Sequence, residues 1–273
     1  MKLPPYDNFP IISDDKITLR PIMPSDIKDI IEISFYDGIQ AATLKQATEM
    51  QSKINKDYTD GNSIHWGIAE NTTNAILGTC GYYRGFDQES GELGCVLLPQ
   101  FRGKGFMTAA MKSAIDFGIN TIELKRIWAL TTKQNENAIK LLEKLNFVKI
   151  ADWQDDEIEY EWQTKSTTLR NLALSLPETS EAPHFEKTSF RVGKKIFVTV
   201  DEKKQEACIK LSETDQDVFS LGDKTIVYPV PNKWGKQGWT IIDLTRVHSD
   251  LLKDAVLTAY REVAPKKLSD LVK

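Results

Sequence analysis

Residues 92–107 read Glu-Leu-Gly-Cys-Val-Leu-Leu-Pro-Gln-Phe-Arg-Gly-Lys-Gly-Phe-Met. This segment predicts a short apolar strand, a tight loop that contains Gly103 and Gly105, and the start of a helix. The helix is indicated by apolar residues at the spacing of one buried face, namely Met107, Ala110, Met111, Ala114 and Ile115. The unpaired N–H groups at a helix N-terminus attract anions, and Arg102 and Lys104 add positive charge there. The segment therefore predicts a cradle for a phosphate or pyrophosphate group.

The loop is not a dinucleotide fingerprint, because it lacks a third glycine, and no Walker pattern is present. It resembles the coenzyme A loop of the GNAT family of N-acetyltransferases, [Q/R]-x-x-G-x-[G/A], through Gln100, Gly103 and Gly105. The wording around this loop looks most like the RimJ/RimL-type branch of that family, and two more blocks agree: residues 17–26 resemble the family's opening, and residues 135–147 resemble that branch. The first reads Ile-Thr-Leu-Arg-Pro followed by Ser-Asp, and the second ends in Leu-Leu-Glu-Lys-Leu-Asn-Phe. The three blocks occur in the family's order.

The resemblance implies a mixed sheet flanked by helices, an α/β fold, and direct transfer of an acetyl group from acetyl-CoA to a primary amine. The acceptor is then a small molecule or a protein N-terminus. The resemblance places the diphosphate on the backbone amides of Arg102, Gly103, Lys104, Gly105, Phe106 and Met107. It assigns Val96 and Leu98 as strand partners of the pantetheine arm. Asn135 matches a cofactor-contacting position, and a simple helix N-cap explains it equally well.

Glu92 is the candidate general base, because it matches the family's glutamate at the start of the central strand. A carboxylate there could accept the amine proton directly or through water, and burial would raise its pKa. Two alternatives stay open: a solvated strand-end glutamate, and proton transfer through water alone. Leu142 and Ala138 occupy the positions where the family places a tyrosine and a serine, so no general acid is evident. Cys95 reads as a core residue rather than a nucleophile.

The acceptor is expected to contact residues 35–62 and 84–91, two segments with aromatic and acidic side chains. Acidic groups there suit a cationic amine or a protein N-terminus, although charged loops are commonly just solvated. A rival function is an acyl-CoA-binding sensor without turnover, coupled to a C-terminal domain that binds nucleic acid or protein. The missing general acid keeps this rival open beside the expected acetyltransferase.

The second half of the chain has a different pattern. It resembles the MmcQ/YjbR-like family, a small α+β fold sometimes described as a double-wing fold. The residues that carry this resemblance are Leu174–Glu178, Gly193–Phe197, Gly238–Trp239, Ala259–Val263 and Leu268. We therefore predict a GNAT domain over residues 1–163, a polar linker over 164–168 and an MmcQ/YjbR-like domain over 169–273.

Composition limits the cellular compartment and the kinds of cysteine and histidine site that the chain can have. No apolar run approaches the roughly 20 residues of a membrane span, and no signal-peptide core opens the chain, so the cytoplasm is expected. Three scattered cysteines and three distant histidines predict neither a disulfide framework nor a metal site.

Charge is unevenly divided along the chain. Residues 1–165 carry 18 basic and 24 acidic side chains, whereas residues 166–273 carry 17 and 15. The second half does interleave basic and aromatic residues, as Lys194, Lys195, Lys233, Trp234, Lys236 and Trp239. Its net charge of only +2 favours a solvated hairpin and a core tryptophan over a nucleic-acid surface.

Periodicity predicts the elements around the cradle. A helix is expected over 25–34, with Ile27, Ile30, Ile31 and Ser34 on one face, and another over 40–57. Strands are expected over 63–70 and 75–83, and a closing hairpin over 147–163. In the second half, helices are predicted at 169–176, 213–221 and 249–263. Strands are predicted there at 188–192, 196–201, 207–211, 225–228 and 239–244.

Overall fold

The computed structural model describes residues 1–272, and internal contacts divide the chain into Met1–Trp162 and a second unit from Gln163 onward. The strands of the first unit are β1 (Ile12–Ser13), β2 (Ile17–Arg20), β3 (Phe35–Tyr36), β4 (Ile39–Gln40), β5 (Ile64–Glu70), β6 (Ile76–Tyr83), β7 (Ser90–Leu97), β8 (Arg126–Thr132), β9 (Phe147–Asp152) and β10 (Glu157–Trp162). Its helices are α1 (Leu44–Thr59), α2 (Phe106–Phe117) and α3 (Glu136–Lys144).

Eight of these strands form one mixed sheet in the order β1-β2-β5-β6-β7-β8-β10-β9. All neighbours are antiparallel except β7 and β8, which are parallel and are connected through α2. This arrangement places the central strand and the start of α2 in the middle of the sheet. The predicted α/β class, with a mixed sheet flanked by helices, is confirmed.

Helix α2 packs on one face of the sheet through the apolar residues that its sequence spacing predicted. Four of the five, Ala110, Met111, Ala114 and Ile115, are buried. The hydroxyl of Tyr82 in β6 donates to the Ala114 carbonyl across this interface, at 2.8 Å. Side chains of α1 line a cavity over the opposite face of β5, β6 and β7.

The prediction of a helix over residues 25–34 is wrong. The chain instead forms two 3₁₀ turns, Ile27–Asp29 and Ile31–Ile33. The buried residues are Ile27, Ile30 and Ile33, which are spaced by three, and this spacing is the period of a 3₁₀ helix. Ile31 and Ser34, which we assigned to the buried face, are only partly buried.

The second unit has its own sheet, helices and core. Its strands are β11 (Thr179–His184), β12 (Lys187–Val192), β13 (Lys195–Asp201), β14 (Glu206–Lys210), β15 (Val227–Pro229) and β16 (Trp239–Asp243). Its helices are α4 (Lys165–Ser175), α5 (Glu213–Phe219), α6 (Ser249–Val263) and α7 (Lys266–Ser269). The sheet is antiparallel throughout, in the order β11-β12-β13-β14-β16-β15. Helix α6 packs on it, with Tyr260 edge-on to Phe197 at a centroid distance of 5.5 Å.

Two features of this unit differ from the prediction. Residues 164–168, predicted as a linker, form the cap and first turn of α4, because the Thr164 side chain accepts from the Thr167 N–H at 3.0 Å. Strand β11 was missed because it contains Pro183, which argues against a central strand. Pro183 is tolerated because β11 lies at the edge of the sheet.

Gly238 tests the packing of the second unit. Its φ is +86°, and a Cβ built there would lie 1.9 Å from the Leu211 carbonyl oxygen. We expect Gly238→Ala to destabilise this unit by about 2–4 kcal/mol, through left-handed strain and displacement of β14 from β16. Hydrogen exchange of the β14 and β16 amides measures the loss. Gly222→Ala is the matched control, since its Cβ would meet nothing within 4 Å; equal protection in both variants would contradict the expectation.

Candidate functional site

The central strand separates from its parallel neighbour partway along its length. β7 and β8 pair over only three residues, the last being Glu92 opposite Trp128. Beyond that point β8 continues to pair with β10, and β7 with β6 as far as Leu97. The edge of β7 from Leu93 to Leu97 is therefore open toward β8, and an extended ligand can pair with it as an added strand.

The hydrogen bonds of β7 show which backbone groups face this opening. The Leu98 N–H donates to the Leu77 carbonyl at 2.9 Å, so it points toward β6. Backbone groups alternate in direction along a strand, so those of Val96 also point toward β6, and those of Cys95 and Leu97 face the opening. The backbone groups at the open edge thus belong to Cys95 and Leu97. These are the neighbours of Val96 and Leu98, which the resemblance assigned as strand partners of the pantetheine arm.

The loop after β7 has the backbone geometry of an anion cradle. Gly103 and Gly105 have φ values of +75° and +84°, a region that favours glycine, and α2 begins at the next residue, Phe106. A Cβ built on Gly103 would meet nothing within 4 Å, so the space beside it is open. The first N–H groups of α2 have no partner within the helix.

Three cationic side chains surround this cradle. The Arg102 Nε donates to the Leu97 carbonyl, at the end of β7, at 3.3 Å. The Lys104 Nζ lies 5.6 Å from the centroid of the Phe101 ring. The Nζ atom of Lys16, the residue directly before β2, lies 3.6 Å from the Cβ position built on Gly105. N–H groups, left-handed glycines and these cations together form a donor set that fits a diphosphate. No sequence motif identified Lys16 as a site residue.

Four other positions singled out by the sequence are accounted for. The Asn135 side chain accepts from the Ala138 N–H at 3.2 Å and so caps α3. Leu142 is buried, and neither it nor Ala138 carries an acidic proton. Burial raises the pKa of the Cys95 thiol to about 12, which keeps it protonated and suits a core residue.

Glu92 lies at the first residue after which β7 and β8 separate. Its side chain is 11% exposed, and the Nη1 atom of Arg84 lies 3.1 Å from its Oε2 atom. Burial raises the pKa of Glu92, Arg84 opposes this shift, and Glu157 and Glu159 add to it. A carboxyl group with a raised pKa beside an opening in the sheet has the properties of a general base.

A cavity of about 650 Å³ lies over the same face of the sheet as Glu92. It is bounded by α1, the turns around β3 and β4, the loop after β6, and the strands β5 to β7. Its charged lining residues are four carboxylates and one guanidinium: Asp37, Asp57, Asp87, Glu92 and Arg84. The cavity therefore has a net negative charge and favours a cationic ligand.

The floor of this cavity contains polar atoms that no protein group satisfies. They are Ser63 Oγ and both ring nitrogens of His65, which have no hydrogen-bond partner among residues 1–272. The Tyr83 ring covers Gly94, where a Cβ would lie 2.6 Å from its Cε2 atom, and its centroid lies 5.3 Å from that of His65. Buried polar groups without partners are uncommon in folded proteins, so this concentration marks a ligand-binding surface.

The sequence did not identify Ser63, His65 or Tyr83 as site residues. Each lies on or beside a predicted strand, and the alternation of strand side chains would have placed them on one face. It could not have shown which face lines a cavity. The acceptor segments predicted from the sequence, 35–62 and 84–91, do contribute lining residues, including Tyr36, Asp57 and Asp87.

The described part of the second unit has the predicted basic and aromatic residues at its surface. The Lys233 Nζ lies 5.8 Å from the Trp234 ring centroid, and Trp234 is half exposed. Trp239 is partly buried at the start of β16. Within residues 1–272, no helix is long and apolar enough to cross a bilayer, and no group of three or more potential ligands has metal-binding geometry.

Comparison with known proteins matches each half of the chain to a family. The Acetyltransferase (GNAT) domain model matches residues 16–148, and the YjbR model matches residues 174–262. The uncharacterized N-acetyltransferase p20 of Bacillus licheniformis is 33% identical over 145 residues, which cover 50% of this chain and 80% of p20. The chain belongs to the GNAT acetyltransferase family.

Other GNAT relatives agree. The uncharacterized N-acetyltransferase YoaA of Bacillus subtilis is 28% identical over 149 residues, 52% of this chain and 84% of YoaA. The crystal structure of a probable acetyltransferase shares the fold with a TM-score of 0.51, at 19% identity over 58% of this chain and 99% of that one. This GNAT protein is thus an acetyltransferase that moves an acetyl group from acetyl-CoA to an amine, with a YjbR domain at its C-terminus. The rival function, a sensor without turnover, is not favoured.

Proposed function

We propose that the acceptor of this GNAT protein is a cationic amine, which binds in the cavity between α1 and strands β5 to β7 with Glu92 as the general base. The charge of the cavity lining carries this proposal, because four carboxylates face one guanidinium. An ammonium group gains from such a site, and an anionic acceptor is repelled by it. The same charge would also admit the N-terminus of a basic peptide.

Glu92 is suited to remove the ammonium proton. Its pKa is raised mainly by burial, so proton transfer to it from an ammonium is less uphill than to an exposed carboxylate. The neutral amine then attacks the thioester carbonyl, the C–S bond breaks, and the second N–H proton goes to the leaving thiolate, directly or through water. A thiolate is a weak base compared with an amine, so the positions of Leu142 and Ala138 need no acid.

The opening in the sheet is proposed to hold acetyl-CoA. The predicted amides of residues 102–107 would bind the diphosphate, together with the side chains of Arg102, Lys104 and Lys16. The pantetheine arm would pair with the open edge of β7 near Val96 and Leu98, through the backbone of Cys95 and Leu97. Because Asn135 caps α3, its proposed cofactor contact would use the part of the side chain that does not cap the helix.

Three finer assignments rest on the sequence. We place the domain in the RimJ/RimL-type branch, on the three sequence blocks. We place the protein in the cytoplasm, on its three free cysteines. For the second domain, the near-neutral charge favours a solvated hairpin over nucleic-acid binding, and nucleic acid remains the weaker proposal for its partner.

Acceptor charge is tested with amines of similar length. We expect the release of coenzyme A thiol from acetyl-CoA to show a kcat/KM that falls in the order 1,4-diaminobutane, 4-amino-1-butanol, 4-aminobutyrate. The step from the diamine to the carboxylate should be at least tenfold, because it replaces an attraction by a repulsion in a partly buried site. A preference for 4-aminobutyrate would contradict the proposed acceptor class.

A further inference from the structure

The acceptor cavity has a second polar end, away from Glu92. Ser63 Oγ and both ring nitrogens of His65 are buried there without a hydrogen-bond partner among residues 1–272. Ser63 is only 6% exposed, and both residues line the cavity. A buried polar atom costs free energy until a ligand or water satisfies it, so this end of the cavity is built for a polar group.

The carboxylate of Asp57 lines the same cavity as these two residues. Asn62, which precedes Ser63, donates its N–H to the Asp57 backbone carbonyl at 2.8 Å, and this bond holds the end of α1 beside the start of β5. The Tyr36 hydroxyl donates to Asp57 Oδ2 at 3.1 Å and fixes the carboxylate at the cavity wall. In the part of the chain that the structure describes, no lysine or arginine nitrogen lies within 4.0 Å of that carboxylate. This second end therefore has a negative charge that forms no ion pair with a lysine or arginine of residues 1–272.

The strand register sets the separation of the two ends. Ile64 in β5 pairs with Tyr82 in β6, and Tyr83 pairs with Glu92 in β7. Ser63, directly before Ile64, thus stands two strands away from Glu92. Neighbouring strands lie about 4.8 Å apart, so the two ends are separated by about 10 Å. A single small amine cannot contact both.

We propose that Asp57, Ser63 and His65 form a distal subsite, which binds the second ammonium group of an elongated diamine while its reacting nitrogen lies beside Glu92. This inference rests on the proposed function, in which a cationic amine occupies the cavity. The subsite has the chemistry for an ammonium: one carboxylate, one hydroxyl and one imidazole. Burial lowers the pKa of His65 to about 4, so the ring is neutral at pH 7 and can accept a hydrogen bond from an ammonium.

The test compares a diamine with a monoamine of the same carbon chain. We expect the parent protein to acetylate 1,4-diaminobutane with a kcat/KM at least tenfold above that for butylamine. In His65→Leu this ratio should fall about tenfold, the effect of one hydrogen bond to a charged group. His65→Gln, which keeps a hydrogen-bonding side chain, should retain part of the preference. His184→Leu in the second domain is the matched control and should leave the ratio unchanged.

Each result of these measurements either supports or overturns the distal subsite. Equal kcat/KM for the two amines in the parent, or an unchanged ratio in His65→Leu, would overturn the distal subsite and leave the amine acetyltransferase intact. If neither amine were acetylated, the proposed acceptor class would fail. Calorimetric titration of 1,4-diaminobutane into the coenzyme A-loaded protein then decides the subsite by itself. Binding about tenfold weaker in His65→Leu supports the subsite, and equal or absent binding overturns it.

Discussion

Replacing Glu92 with glutamine should lower kcat for amine acetylation by about 10²-fold or more, the usual contribution of a general base. Glutamine preserves the shape of the side chain and can still contact the ligand, but it cannot accept the ammonium proton. Steady-state thiol release with 1,4-diaminobutane measures the effect. Glu49→Gln, an exposed glutamate of α1 in a surface ion pair with Lys45, is the matched control and should retain parent activity.

The pH dependence gives this prediction a second signature. The parent should lose activity as the pH falls through the raised pKa of Glu92, because only the carboxylate accepts a proton. This acidic limb should be missing from the residual activity of Glu92→Gln. A variant with the parent's kcat and the parent's pH profile would show that Glu92 is not the base.

Glu92→Gln should affect the stability of the fold in the opposite direction to its effect on activity. A carboxyl group whose pKa is raised in the folded state stabilises the fold below its unfolded pKa, near 4.3, and this contribution is lost as the pH rises through the folded pKa. Ionised Glu92 thus opposes folding at neutral pH, and Arg84 offsets part of that cost. Glu92→Gln should therefore unfold at the same temperature as the parent or higher, at pH 7.

Gly105→Val should raise the Kd for coenzyme A at least tenfold. The residue has a φ of +84° directly before α2, and a β-branched side chain is strongly disfavoured there. Relief of that strain would rotate the loop and turn the first N–H groups of α2 away from the diphosphate. Isothermal titration of coenzyme A measures the loss.

The control for Gly105→Val must share its backbone strain but lie outside the cradle. Gly193→Val meets this requirement, since Gly193 has a φ of +60° in the β12–β13 turn and a Cβ there would meet nothing within 4 Å. It should bind coenzyme A like the parent. Parent-like affinity in Gly105→Val would mean that the diphosphate binds elsewhere.

The cradle could be predicted from the sequence because its parts are local. Strand, loop and helix are consecutive, and the helix periodicity and the two glycines are visible within residues 92–115. Helix α1 and the strands β5, β6 and β7 were likewise found within a few residues of their observed ends. The 3₁₀ turns at 27–33 were mistaken for a helix because spacings of three and four overlap in so short a run.

The acceptor cavity could not be predicted because it is assembled by pairing between distant strands. His65 and Glu92 come together only through the register of β5 with β6 and of β6 with β7, which one sequence does not specify. Asp57 was visible as an acidic residue in a candidate acceptor segment. Its role as the unpaired charge at the second end depends on the backbone bond between Asn62 and Asp57.

The most direct test is a crystal structure of the whole chain with coenzyme A and 1,4-diaminobutane. We expect the diphosphate on the amides of residues 102–107 and the pantetheine arm along the open edge of β7. We expect one nitrogen of the diamine beside Glu92 and the other within hydrogen-bond distance of Asp57 or His65. Coenzyme A bound away from the opening between β7 and β8, or a diamine outside this cavity, would contradict the proposed function.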